Sequence, residues 1–458
     1  MNKRKSVVLV FIILTITVIF HLVDIYNFNS FSPLFLRILR WIFIGSLIIY
    51  ALYKRSLTTW ILVSMVIGVE VGLDFPAFAK DLRVLSQIFL RMVKTIIAPI
   101  LFSTLVVGIA GHSDLKQVGR MGWKSLVYFE VVTTIALFIG LLAINISQAG
   151  VGIHIPPGFH EELPATVPQT WQDIVLHIFP ENFVKSIYNG DVLPIVVFSV
   201  IFGIGLAMVK EEKRKPMLLF SESLAETMFK FTNIIMYFAP IGVGAAIAFT
   251  VGHLGLDILY SLLKLLLTLY ASLLVFVGVV FFSIAWFLKI PIRQFIKAVS
   301  EPVAIAFATT SSESALPIAM ENMEKFGVPR KIVSFVLPTG YTFNLDGTTL
   351  YLSLASVFVA QAAGIHMSFG SQLIMGLTLM LTSKGVAGVP RASLVILLGT
   401  VSSFGLPVWP VLAVLGIDEL MDMARTSVNV IGNTLASCVI AKWEGEFDQQ
   451  KALAFVAD

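Results

Sequence analysis

Charge is what this chain has least of. Asp, Glu, Lys and Arg together make up 13% of its 458 residues, about half the roughly 25% of a soluble protein. A water-facing surface needs more, so a soluble globular enzyme is excluded, as is a disordered or nucleic-acid-coating chain. Cysteine is scarcer still. Cys438 stands alone, which leaves no disulfide framework within the chain and no cysteine-based metal cluster. The histidines (His21, His112, His154, His160, His177, His253 and His366) form no pair at i,i+4, and none neighbours the serine-rich segments. Zinc proteolysis and seryl hydrolysis therefore lack their parts, and no transition-metal site or cofactor is expected. The net charge of +4 is too small to imply a polyanionic partner. What is present is apolar: 57% of residues are hydrophobic and the mean hydropathy is +0.90. This is the composition of an all-α integral membrane protein whose partner is the lipid bilayer.

A helix needs roughly 20 mostly apolar residues to cross the hydrocarbon core, and about ten such runs recur. They lie at Val7–Val23, Pro33–Tyr53, Thr58–Leu73, Val84–Ala110, Leu126–Ile146, Val192–Val209, Phe229–Phe249, Leu259–Leu288, Ile332–Ala362 and Val408–Ala441. The first follows Met1–Lys5 as a secretory signal would. No small-x-small cleavage site precedes the polar Tyr26–Ser32 segment, so it reads as an uncleaved helix. Lys and Arg cluster in every second loop: at Lys3–Lys5, Lys54-Arg55, around Lys116, Arg120 and Lys124, at Lys210 with Lys213–Lys215, at Lys289 with Arg293 and Lys297, and at Lys325 with Arg330-Lys331. The rule that such loops stay inside predicts cytoplasmic amino and carboxyl termini. Arg37, Arg40, Lys80 and Arg83 fall on the outer side by that count and run against it.

Two segments near the carboxyl end are too short and too interrupted to span. One covers about 292–325 and is broken at Thr309-Thr310-Ser311-Ser312-Glu313-Ser314; the other covers about 369–401 and is broken at Thr382–Pro390. Each has two apolar arms around a small polar tip, the pattern of a re-entrant helical hairpin, whose tip is tolerated at membrane depth only where protein or water meets its backbone. Each precedes a helix with an Asn-x-x-Gly motif, Asn344–Gly347 and Asn429–Gly432. Loop parity places the first hairpin on the cytoplasmic side and the second on the outer side. That is an inverted repeat, which in transporters brackets a midplane site.

The last helix holds the sharpest signal. Asp418, Asp422, Arg425, Asn429 and Asn433 are spaced +4, +3, +4 and +4 and form one polar stripe on a helix. An Arg at the bilayer centre costs roughly 2.5–3.5 kcal/mol on the mildest scale, so something must face it. One reading is a structural ion pair, since Asp422 and Arg425 are i,i+3 neighbours. The other is a site for a zwitterion with an extra acid group. The guanidinium would take a side-chain carboxylate through two parallel hydrogen bonds, and Asp422 would take the ammonium. Ser312, Asn429 and the backbone of a hairpin tip would donate to the remaining carboxylate. Mid-span in another apolar helix, Asn344-Leu345-Asp346-Gly347-Thr348 reads as an unwound turn. Its carbonyls and Asp346 suit a small hard cation; alternatively Asp346 only satisfies loose backbone N–H groups.

These motifs resemble those of the dicarboxylate/amino acid:cation symporter family, which includes bacterial glutamate/aspartate symporters and animal excitatory amino acid transporters. The matching segments are Ser311–Pro317, Pro338–Thr348, Gly385–Pro390 and Asp422–Val430, within a likeness running from about Thr58 to Phe447. The resemblance implies a homotrimer in the plasma (inner) membrane, moving substrate by an elevator mechanism. The symporter unit would be 57–447, with a scaffold mainly at 57–115 and 186–250 and a transport domain mainly at 119–150 and 258–447. Residues 1–56 would be extra transmembrane helices and 448–458 a tail. Substrate contacts would fall on Ser312, Thr348, Val389, Asp422, Arg425, Thr426 and Asn429, with Ser311 and Gly388 beside them. Asp422 and Thr426 mark amino-acid carriers and Arg425 marks acidic substrates, so glutamate or aspartate is the expected cargo. A C4-dicarboxylate carrier is the nearer alternative and an ion channel the more distant one.

The resemblance implies cation ligands at Gly340, Thr342, Asn344, Asp346, Ser383, Asn429 and Asn433, but Asn433 replaces an Asp of one sodium site. An ungapped match places Phe129 and Val132 where another site uses Tyr and Thr. Leu352 replaces a Glu associated with counter-ion coupling, which argues against potassium counter-transport. Glu130, in an otherwise apolar helix, is the candidate proton carrier, or else a hydrogen-bonding contact to a neighbouring helix. Proton-coupled uptake is expected, with sodium coupling the close alternative. Lys384 and Arg391 at the outer tip read as solvated surface, with tuning of anion access the alternative, Glu70 reads as a packed polar contact, and Lys442-Trp443-Glu444 as an interfacial anchor.

Overall fold

The computed structural model describes residues 3–26, 31–110, 115–153, 176, 179–189, 192–384 and 392–455, and every regular element among them is helical. At the amino end, α1 (Lys3–Ile25) and α2 (Pro33–Lys54) pack on each other and, through α2, on α3 (Leu57–Asp74). Ser32 starts α2 by accepting a hydrogen bond from the Phe35 N–H at 3.2 Å. Pro33 fills the first turn, where a missing N–H costs nothing. The basic residues that seemed misplaced here have partners on α3. Arg37 pairs with Asp74 at 2.9 Å, Arg40 pairs with Glu70 at 2.7 Å, and the Trp41 indole donates to Asp74 at 2.8 Å. Arg37 and Arg40 are therefore interhelical partners and not loop charges, and Glu70 is the packed polar contact expected of it.

A short α4 (Pro76–Asp81) leads into α5 (Arg83–Ala110) and α6 (Leu115–Ser147); then follow α7 (Phe183–Asn189), α8 (Val192–Met208), α9 (Glu211–Met236) and α10 (Ala239–Leu254). Helix α5 lies against α8, α9 and α10, and α3 packs closely on α10. That approach depends on small residues. A Cβ on Gly72 would come within 2.8 Å of the Ala248 carbonyl oxygen, and one on Gly244 within 3.0 Å of that of Ser64. Association inside lipid relies on such backbone proximity, because apolar burial gives little gain there.

The chain continues through α11 (Asp257–Val275), one π-helical turn at Phe276–Phe281 and α12 (Phe282–Phe287). Next come α13 (Ile292–Thr309), α14 (Ser312–Lys325), α15 (Arg330–Phe343), α16 (Asp346–Ala362), α17 (Phe369–Thr382), α18 (Ala392–Ser403), α19 (Trp409–Glu444) and α20 (Gln449–Ala454). The two interrupted segments are helical pairs. Helices α13 and α14 pack against each other, and so do α17 and α18. The first pair turns at Thr310, held at φ 52°, a left-handed conformation rare for a β-branched residue. Asn322 braces its arms by donating to the Ala298 carbonyl at 2.9 Å. Helix α19 is the centre of this half. It is buried along most of its length, and α6, α10, α11, α13, α14, α15, α16 and α18 all pack on it.

Among the described residues, five helical stretches are long and apolar enough to cross a membrane unaided: Ser6–Ile25, Pro33–Lys54, Leu57–Asp74, Met121–Ser147 and Asp257–Phe287. The pair α9–α10, bent by 50°, makes a sixth. The other expected runs also fall on helices, but Ile332–Ala362 is split between α15 and α16, α8 has only 17 residues, and α19 carries Asp418, Glu419, Asp422 and Arg425 mid-length. The interruptions and charges that disqualify α15, α16 and α19 as simple spans are the features that build the site.

Candidate functional site

Helix α15 ends at Phe343 and α16 begins at Asp346. The two junction residues lie outside helical geometry, Asn344 at φ −114°, ψ 77° and Leu345 at φ −105°, ψ 64°. The unwound turn is thus confined to Asn344–Leu345, and Asp346 already stands in the first turn of α16. A new helix presents backbone N–H groups without intrahelical partners. Asn429 of α19 meets them: its Oδ1 accepts from Gly347 N at 2.8 Å and from Thr348 N at 3.3 Å, while its Nδ2 donates to Thr348 Oγ1 at 3.0 Å. Gly347 permits this contact, because a Cβ there would collide with the Arg425 carbonyl oxygen.

Beside this junction is a pocket of oxygen atoms. Asn344 Nδ2 donates to Asp346 Oδ2 at 3.0 Å and to Asn433 Oδ1 at 3.2 Å. Asn344 Oδ1 and Asp346 Oδ1 are buried with no hydrogen-bond partner among the described residues. The reading in which Asp346 serves only to satisfy loose N–H groups does not fit this geometry, since Asn429 fills that role. Unpaired buried oxygens are costly, and a carboxylate with carboxamide oxygens is the donor set of a small hard cation. Gly340 and Gly432 make room: a Cβ on the first would strike Asn433 Oδ1, and one on the second would strike Asp346 Oδ2. Ser383 is buried, its hydroxyl spent on the Met380 carbonyl at 2.8 Å. The Thr342 side chain lies outside what is described.

One turn toward the amino end of α19, Arg425 is 1% exposed. Its Nε pairs with Asp422 Oδ1 and its Nη1 with Asp418 Oδ1, both at 2.9 Å. Thr426 Oγ1 donates to the same Asp422 oxygen at 2.8 Å. Tyr351 of α16 lies under the guanidinium, 4.3 Å from ring centroid to Cζ, and donates its hydroxyl to Asp418 Oδ1 at 3.1 Å. The i,i+3 ion pair weighed from the sequence is therefore present, and a second carboxylate joins it. No incoming acid is needed to neutralise the guanidinium, contrary to the simplest form of the sequence argument. Asp418 belonged to the predicted stripe without a role. Tyr351 went unpredicted, although its place three residues after Thr348, on the same face of α16, was the available signal.

Ser311 caps α14, accepting from Ser314 N at 3.3 Å, and Ser312 follows in its first turn, half-buried. This pair meets α19 at Val430 through Ala306 and Ala315, which cluster with Tyr341 of α15. Thr348, Asp422, Arg425, Thr426 and Asn429 are linked around the α16–α19 contact. Gly388, Val389 and Arg391 lie outside the described residues. Lys384 corrects its reading as solvated surface. It is 7% exposed, and its Nζ pairs with Glu130 Oε1 at 3.1 Å and donates to the Phe343 carbonyl at 2.7 Å. Glu130 in turn is not sealed from the exterior of the chain, its side chain being 44% exposed.

A broken helix and a charged helix crossing in an apolar, multi-helix protein define a membrane carrier. The chain belongs to the sodium:dicarboxylate symporter family, whose model matches residues 57–443. Members are transporters and not enzymes. A "Proton/sodium-glutamate symport protein" of Bacillus caldotenax is 44% identical over 415 residues, covering 88% of this chain and 98% of the relative. A "Proton/glutamate-aspartate symporter" of Escherichia coli (strain K12) is 42% identical over 419 residues, covering 88% and 96%. A "C4-dicarboxylate transport protein" of Bacillus subtilis (strain 168) is 40% identical over 408 residues, covering 88% and 97%.

Proposed function

We propose that the protein is a secondary-active symporter that imports glutamate or aspartate together with protons, sodium or both. The observation that carries this reading is the Asp422–Arg425–Thr426 cluster set against the broken α15–α16 junction. Asp422 uses one oxygen for Arg425 and Thr426, which leaves the other for a substrate ammonium. The guanidinium uses Nε and Nη1, which leaves Nη2 for the substrate's side-chain carboxylate. A plain C4-dicarboxylate has no ammonium to match Asp422, so the amino-acid reading is favoured over the carrier type of the B. subtilis relative.

Charge explains why such a site needs co-transported cations. Around the α16–α19 contact, Asp346, Asp418 and Asp422 are buried with the Arg425 guanidinium, three carboxylates to one cation among the described residues that meet there. Glu130 and Lys384 offset each other. Glutamate or aspartate adds one more negative charge. Inside a low-dielectric interior this excess is sustained only with cations or protons bound alongside. The α15–α16 oxygen pocket, with Asn344, Asp346 and Asn433, is the place for one of them.

The paired helices α13–α14 and α17–α18 fit re-entrant hairpins of an inverted repeat. With the scaffold and transport units placed at the boundaries given above, they suit an elevator mechanism in a homotrimer, in the inner membrane with both termini cytoplasmic. Counterflow of labelled aspartate, glutamate and succinate in proteoliposomes, under separately imposed pH and sodium gradients, tests the proposal. Exchange of the two amino acids that responds to either gradient is expected, and Asp422→Ala should abolish it while sparing succinate. Succinate exchange without amino-acid exchange would establish the dicarboxylate reading instead.

A further inference from the structure

Lys384 follows the carboxyl end of α17, yet its side chain is almost fully buried and surrounded by oxygen. An ammonium has three N–H donors and no acceptor. Three acceptors meet it here: the Phe343 carbonyl at 2.7 Å, Glu130 Oε1 at 3.1 Å and Thr133 Oγ1 at 3.5 Å. Each has a lone pair to give. The Phe343 carbonyl is among the last of α15, and such carbonyls lack intrahelical partners. The Thr133 hydroxyl hydrogen is spent on the Phe129 carbonyl at 2.6 Å, so its oxygen faces the ammonium as an acceptor. Asp346 is the further charge acting on this lysine.

A carbonyl, a carboxylate and a hydroxyl converging on one point form the ligand set of a hard cation. They come from α6 and from the end of α15, while the charge itself is delivered by the arm that closes α17. We propose that Lys384 is a tethered cation. Its ammonium fills a monovalent-cation position between α6, α15 and the second helical pair, so the carrier binds one fewer free cation with its substrate. The inference rests on the chain being a cation symporter. It makes Lys384 and Glu130 positioning residues that set ion requirement, without contact to the substrate.

The test uses the full chain, unmodified and as K384M, K384Q, E130Q and K384M/E130Q. Labelled aspartate uptake into proteoliposomes is measured at a fixed pH gradient, with sodium or choline outside. In K384M and K384Q a free sodium ion takes the vacated position, so the sodium-to-choline ratio should rise roughly tenfold over that of the unmodified carrier, within the usual range of site-to-site coupling. E130Q and K384M/E130Q should show no such rise, because the carboxylate ligand is gone. Thermal unfolding in native membranes reads the same position without transport. Sodium, but not choline, should raise Tm more in K384M or K384Q than in the unmodified protein. Equal sodium ratios and equal Tm shifts in all forms would overturn the proposal. If the unmodified carrier takes up aspartate while the lysine variants gain no sodium response, this inference alone fails. If it transports no acidic amino acid at all, the proposed function fails first.

Discussion

At the scale of single residues, the side chains singled out by spacing divide their labour differently than expected. Asn429 was read as a donor to substrate, but both ends of its amide are engaged by the first turn of α16. Replacing it with Leu would leave two buried N–H groups unsatisfied, at about 1–3 kcal/mol each. Asn429→Leu is therefore expected to lower Tm as well as transport, whereas a residue that only contacts substrate would change transport alone. Unfolding of the purified variant without substrate distinguishes the two. The stripe on α19 was legible because an ionisable residue in an apolar helix has few bland explanations. Tyr351 and the Lys384–Glu130 pair were not legible, because partners on α16, on α19 and across the α6–α17 contact are unknown until helices are placed in space. Burial of Lys384 in particular contradicts every local cue, since a Lys beside Gly at a loop tip ordinarily faces water.

At the scale of elements, the breaks were more readable than the helices. Thr310 and the Asn344–Leu345 junction interrupt apolar runs where the sequence places small and polar residues, and the structure breaks there. The extent of unwinding was overestimated: Asp346–Thr348 is helical because Asn429 supplies the cap that makes helix affordable. The second Asn-x-x-Gly, at Asn429–Gly432, stays within the continuous α19. Sequence similarity between the two motifs conceals that one caps the other. The α16–α19 crossing tolerates no added bulk at Gly347, since the obstructing atom is the Arg425 backbone oxygen. Gly347→Ala should cost about 1–3 kcal/mol by overpacking. Lowered Tm together with impaired counterflow of aspartate is the expected readout, and unaltered Tm would show that the crossing is looser than described.

At the scale of the whole molecule, the family match begins at residue 57, and α1 and α2 stand outside it, fastened to α3 by Arg37, Arg40 and Trp41. Their attachment combines these polar contacts with packing of α2 on α3, and among the described residues neither packs closely on α15, α16 or α19. Removing residues 1–55 should leave aspartate counterflow in place but lower Tm, because Glu70 and Asp74 lose their partners within the membrane. Restoring Tm with E70Q and D74N in the truncated chain would tie the loss to those two carboxylates.

In the proposed site the Arg425 guanidinium, already held by Asp418 and Asp422, donates to the side-chain carboxylate of an acidic amino acid. The most direct test is the affinity of purified Arg425→Ser for aspartate and for a neutral amino acid such as serine. Losing the buried charge partner should weaken aspartate binding by about 2–5 kcal/mol, while serine binding, anchored by Asp422 and Thr426, persists or improves. Undiminished aspartate affinity in a folded Arg425→Ser protein would contradict the account.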